Sequence, residues 1–167
     1  MKYRASKVAF LGLFFALSIV LSYVESLLSG MIPVPGIKLG LSNIVTMYCL
    51  FGFGKKEAFT LAVLKSGFVL FTRGVVGAAM SLAGGLASVV VMTFLLSLKK
   101  VRLSPLTVSI FGGIFHNAGQ IIMACFILES TMVFYYFPIL AISGIVMGSL
   151  TGFLLKLLMP HFNRIFF

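Results

Sequence analysis

The sequence predicts an all-α polytopic membrane protein: a bundle of six transmembrane helices with both termini cytoplasmic. Three observations predict it. Of the 167 residues, 60% are apolar and only 10% charged, against about 45–50% and about 25% in a soluble domain. Apolar runs recur along the whole chain, and a helix crossing a bilayer needs about 20 such residues. The 13 Lys and Arg residues outnumber three acidic ones, with no Asp anywhere, for a formal charge of +10. Most of these cations fall between apolar runs, as expected when cytoplasmic loops retain Lys and Arg, and this placement argues against a nucleic-acid surface. A single integral membrane domain, 1–167, is expected, because six spans leave no room for a soluble one.

The first span, 8–28, follows Lys2, Arg4 and Lys7 and is too long for the apolar core of a secretory signal, so it is expected to be retained. It carries two opposed stripes. Ala5, Ala9, Gly12 and Ala16 form a small-residue face that lets another helix approach closely, and Ser18, Ser22, Glu25 and Ser29 form a polar face toward the bundle. The segment GMIPVPGIKLGLSN that follows contains Pro33, Pro35 and Gly36, which forbid a continuous helix. It predicts a shaped outer loop, either a lid or a turn, leading through Lys38 to Asn43.

Spans two and three, 39–53 and 58–71, are short. A 15-residue helix rises only ~22 Å, so these two need shielding by neighbours or extension by their flanks. Spans four, five and six are placed at 77–98, 106–128 and 134–158. Small stripes at Gly77, Ser81 and Gly85, and at Gly144, Gly148 and Gly152, predict internal helix packing.

Ten of the 13 cations alternate onto one side: Lys2, Arg4, Lys7, Lys55, Lys56, Lys99, Lys100, Arg102, Lys156 and Arg164. The expected location is therefore the cell membrane, multi-pass, with that side cytoplasmic. The remaining three, Lys38, Lys65 and Arg73, belong to the outer half. By helical rise from Lys56, Lys65 lies ~13 Å deep and Arg73 ~25 Å. A mid-membrane lysine costs roughly 2.5–3.5 kcal/mol on insertion scales and normally faces a protein interior or a wet cavity. Lys65 therefore either snorkels or pairs with Glu25 or Glu129, or it faces a ligand. Arg73 either reaches the headgroups or joins it.

In span five the run FHNAGQ places His116, Asn117 and Gln120 within a ~100° arc of one helix face, in the same outer half as Lys65 and Arg73. The three side chains can bind a ligand or bond helices together. A zinc site needs three or four ligands and His116 is the one histidine within a span, so no metal is expected. Cys49 and Cys125 lie in apolar runs without a CxxC spacing, consistent with buried thiols. No Walker A, HExxH or GxSxG motif occurs, and without Asp the chain lacks the usual holders of magnesium-bound diphosphate. No catalytic residue and no cofactor is assigned to this chain.

The segments PGIKLGLSN, FGKKEA, SLAGGLAS, HNAGQ and SGIVMGSLTG together resemble the Gx transporter family, also described as heptaprenyl diphosphate synthase component I. That family is similar to the substrate-binding S components of energy-coupling factor (ECF) transporters. The resemblance implies capture of a vitamin or an isoprenoid or quinone precursor from outside. It also implies docking of the face Ala5, Ala9, Gly12 and Ala16 on a transmembrane coupling (T) protein driven by two ABC ATPases, which use the ATP. Lys65, Arg73, His116, Asn117, Gln120, Asn43, Lys38 and Glu25 are the expected substrate-binding residues, for a small anionic or amphipathic molecule. The alternative is a membrane subunit associated with a heptaprenyl or polyprenyl diphosphate synthase.

Overall fold

The computed structural model describes the backbone of residues 2–29, 40–98 and 103–166, and the side chains of 7–28, 40–98 and 103–160. Among the described residues the chain is helical throughout, without a strand: α1 (Lys2–Ser29), α2 (Leu41–Gly52), α3 (Lys55–Ser97), α4 (Pro105–Ile127), a short 3-10 turn (Thr131–Tyr136) and α5 (Phe137–Phe166). Four stretches are long and apolar enough to cross a membrane: Lys7–Leu28, Lys55–Ser97, Pro105–Ile127 and Thr131–Pro160. The chain is thus an all-helical protein of multi-pass membrane type.

Four such stretches, rather than six, are found among the described residues, and the difference lies in α2 and α3. α2 has 12 residues and rises only ~18 Å, short of a ~30 Å hydrocarbon core. The expected spans at 58–71 and 77–98 fall on the two arms of α3, whose 43 residues would extend ~64 Å if straight. They are not straight, because Gly74 adopts φ 73° and ψ −174° inside the helix. Only a residue without Cβ takes that conformation readily. The arms 55–73 and 75–97 consequently fold back on each other. A Cβ built on Gly85 would lie 3.6 Å from Ala62 Cβ, and Lys55 Nζ donates to Ser97 Oγ at 2.9 Å, joining the two far ends.

Glycines set the tightest contacts of the bundle. A Cβ on Gly148 would lie 2.7 Å from Ile110 Cα and 2.8 Å from Ser109 O, so α4 and α5 approach backbone to backbone. Gly144 and Gly152 make equally close approaches to α4, which places the expected stripe of span six in internal packing. Ser109 Oγ and Thr151 Oγ1 are 2.7 Å apart across the same buried interface.

The core between α1 and α2 is aromatic. Phe14, fully covered, meets Tyr48 at 5.3 Å and Phe53 at 5.4 Å between ring centroids, both edge to face, the arrangement that ring quadrupoles favour. Beside this cluster Lys7 pairs with Glu57 at 3.5 Å. Lys7, Lys55 and Lys56 thus gather at one end of the bundle, with Gly74 at the other. The outer surface is largely apolar, with Phe71, Phe94, Ile142 and Phe153 all more than half exposed, as suits side chains that face lipid rather than water.

Candidate functional site

The polar face of α1 includes Glu25, which is buried. One carboxylate oxygen accepts from the backbone N–H of Gly40, and the other from Ser42 Oγ at 3.4 Å. Gly40 caps the N-terminus of α2 with φ 73°, so the carboxylate lies where the positive end of a helix dipole favours an anion. On the opposite side Lys65 Nζ donates to Ser42 Oγ at 2.6 Å and to Asn43 Oδ1 at 3.0 Å. Hydrogen bonds to charged groups contribute about 1.5–3 kcal/mol each, enough to offset the insertion cost of a mid-membrane lysine. Lys65 is therefore oriented by the protein itself, through Ser42 and Asn43, and is linked to Glu25 by one hydroxyl.

Across from α2 and the first arm of α3, α4 carries the second polar group. His116 and Gln120, one turn apart, are joined at 3.2 Å between their Nε2 atoms. A Cβ on Gly84 would meet His116 O and Gln120 Cγ, each at 2.8 Å, so the second arm of α3 lies directly against this pair. Asn117 Nδ2 donates to Leu140 O at 2.7 Å and ties α4 to α5. Polar side chains bonding neighbouring helices are common in membrane bundles, and Asn117 does that here.

A cavity of ≈310 Å³ lies between these helices. Seven of the eight expected residues line it: Lys65, Arg73, His116, Asn117, Gln120, Asn43 and Glu25. Arg73, exposed, stands at the Gly74 end. Lys38 lies outside the described residues. Both oxygens of Glu25 are engaged at the start of α2. Glu129, the other candidate partner for Lys65, lies away from this cavity in the turn after α4, with φ 49°. Among the described residues no cluster of three or more metal-ligating side chains occurs.

Sequence reasoning missed Ser42, the residue that joins the two charges. Its signal was its position beside Asn43 at the entry to α2. It also missed the deeper lining, where Gly85, Ser88, Met92, Gly112 and Met147 belong to stripes of small and apolar residues that read as packing. The small-residue face of α1 points away from the bundle. Ala9, Gly12 and Ala16 are exposed and a Cβ on Gly12 would meet nothing within 4 Å. The side chain of Ala5 lies outside the described residues.

Residues 14–158 match the family described as heptaprenyl diphosphate synthase component I. The match covers most of the chain, from the middle of α1 into the last turns of α5. The chain belongs to this family. No curated protein and no solved structure matches it. The family description makes component I one part of a prenyl diphosphate synthase, which links this chain to isoprenoid chemistry and to a partner synthase component. The polar cavity falls within the matched region, whereas Ala16 is the one residue of the small-residue face of α1 that does.

Proposed function

We propose that this chain is a membrane-embedded binding component that captures a small anionic or amphipathic molecule in the cavity between α1, α2, α3, α4 and α5. The observation that carries this reading is the convergence of Lys65, Arg73, His116, Asn117 and Gln120 on one cavity from two helices distant in sequence. Two cations beside hydrogen-bond donors favour carboxylate or phosphate. In this reading the arms of α3 cross the membrane separately and α2 is shielded by its neighbours, giving six crossings. Both termini and the end bearing Lys7, Lys55 and Lys56 are cytoplasmic, by the positive-inside rule, and the cavity opens outward in the cell membrane.

The component then acts as the S component of an ECF-type transporter. Ala5, Ala9, Gly12 and Ala16 dock on a transmembrane coupling protein, and two partner ATPases hydrolyse ATP to move the ligand, a vitamin or an isoprenoid or quinone precursor. The exposure of Ala9, Gly12 and Ala16 supports a docking role.

The family description favours a second reading, in which the chain is the non-catalytic membrane subunit of a polyprenyl diphosphate synthase. Affinity extraction of the tagged chain from its native membrane separates the two. Recovery with a coupling protein and two ATPases supports transport. Recovery with a prenyltransferase and no ATPase supports the synthase subunit and overturns transport.

A further inference from the structure

A second concavity lies apart from the central cavity, between the last turns of α4, the 3-10 turn and the start of α5. Its level along the bundle follows from the packing. Gly84 lies against His116 and Gln120, and Gly112 against Met92 and Ser88. α4 therefore runs antiparallel to the second arm of α3, and its last residue, Ile127, comes level with the Gly74 turn. The groove sits at the end of the bundle opposite Lys7, Lys55 and Lys56. Tyr135 lines it and is 87% exposed, a residue type enriched at the level of the lipid headgroups.

The groove combines apolar walls with one carboxylate. Ile122 and Phe126 of α4, both exposed, form one side, and Phe134 and Phe137 stack at 5.4 Å between ring centroids on the other. Glu129, Ser130 and Thr131 also line it. Among the described residues no side chain pairs with the exposed Glu129 carboxylate. The chain has three acidic residues and a formal charge of +10. Glu25 is engaged at the start of α2 and Glu57 pairs with Lys7, which leaves Glu129 to a cation from outside the chain. Its backbone position is also unusual. The Ser130 N–H donates to Cys125 O at 3.2 Å, the bond of a Schellman cap, and Glu129 at φ 49° holds the left-handed place that glycine normally takes. Helix termination alone would favour no side chain there, yet a carboxylate is kept.

We infer that this groove binds a phospholipid with a primary ammonium headgroup, such as phosphatidylethanolamine, in the leaflet at the Gly74 end. The ammonium donates charge-assisted hydrogen bonds to Glu129 beside aromatic faces that attract cations. The hydroxyls of Ser130 and Thr131 donate to the phosphate, and one acyl chain lies along Ile122 and Phe126. Ser130 Oγ accepts from the Met132 N–H at 3.3 Å, which leaves its own proton to donate. The occupant is a lipid because Ile122 and Phe126 belong to the exposed apolar surface of the bundle, so a ligand lying on them arrives from the bilayer. A trimethylammonium headgroup carries the charge but has no N–H to donate, and a headgroup that is only anionic is repelled. The site is independent of the central cavity and of the partner assignment.

The chain has no Trp, so Phe126→Trp places a single fluorescent reporter in the groove wall. Phe115→Trp, about three turns back on α4 and also exposed, reports on ordinary lipid-facing surface. The test is quenching in the full chain, reconstituted in phosphatidylcholine vesicles that carry a fixed fraction of one lipid with brominated chains: phosphatidylethanolamine, phosphatidylcholine or phosphatidylglycerol. At Phe126→Trp, phosphatidylethanolamine is expected to quench as though enriched at least threefold over phosphatidylcholine, and phosphatidylglycerol less than either. Phe115→Trp is expected to distinguish none of the three. Glu129→Gln and Glu129→Gly should each abolish the preference, and Glu129→Gly should keep or raise the unfolding midpoint, because glycine suits the left-handed position, so unfolding does not account for the loss. Equal quenching by phosphatidylethanolamine and phosphatidylcholine at Phe126→Trp, a preference that survives Glu129→Gln, or the same preference at Phe115→Trp overturns the site. Quenching by none of the lipids at Phe126→Trp also overturns it, since protein rather than lipid would then cover the groove.

Discussion

Lys65 and Glu25 carry opposite charges on different helices and are joined through one hydroxyl: Ser42 Oγ accepts from Lys65 Nζ at 2.6 Å and donates to Glu25 Oε2 at 3.4 Å. Three helices meet in this chain of bonds. Glu25 fixes α1 to the first turn of α2, and Lys65 fixes α2 to the first arm of α3. The proposed anion site is thus built on groups that also hold the fold, and the roles of its two charges can be separated by substitution.

Glu25→Gln keeps the shape of the side chain and removes the charge at the start of α2. The expected loss is about 1–3 kcal/mol, the range for weakening hydrogen bonds to a buried charged group. Thermal unfolding in detergent reads it, and an unchanged midpoint would refute the tether.

Lys65→Met is expected to lower ligand affinity at least tenfold while the protein stays folded. Combined with Glu25→Gln, it should show a coupling of roughly 0.5–3 kcal/mol in a double-mutant cycle, as groups in one network do. Strict additivity in the unfolding measurement would mean that Ser42 does not transmit between them.

Gly74→Ala places a Cβ on a residue at φ 73° and ψ −174°, a region that is essentially glycine-only and costs an L side chain of order 1–3 kcal/mol. The expected outcome is a lower unfolding midpoint, with ligand affinity reduced because Arg73 adjoins the turn. A midpoint equal to wild type would show that the arms of α3 do not depend on this residue.

Gly148→Leu puts a side chain where a Cβ alone would lie 2.7 Å from Ile110 Cα. Overpacking costs typically 1–3 kcal/mol, and here backbone must move, so the upper end is expected. Ala9→Leu with Gly12→Leu makes the contrast, since both positions face open space. That pair should leave the unfolding midpoint and ligand binding intact and abolish recovery of the partner complex. A complex that survives both changes would refute docking on this face.

Much of the site was legible in the sequence because charge is scarce in an apolar chain. Lys65, Arg73 and the FHNAGQ run stood out at similar calculated depths, and the structure brings them to one cavity. A break near Gly74 was legible, since the expected spans 58–71 and 77–98 leave that glycine between them, but its conformation was not, because its φ is set only when the two arms pack. Ser42 escaped because a serine in a first turn normally serves as a cap. The shortness of α2 was plain from its apolar run. The stripe Gly144, Gly148 and Gly152 was readable as packing, but which helix it met required the structure.

The central claim, that Lys65 and its neighbours form a ligand site, is tested most directly by native mass spectrometry of the protein extracted gently from its own membrane, alongside Lys65→Met prepared identically. The account predicts a small bound molecule bearing a carboxylate or phosphate on the wild-type chain and its loss from the variant. The same molecule retained at equal occupancy by Lys65→Met would contradict the account and leave the cavity's polar residues a device for joining helices.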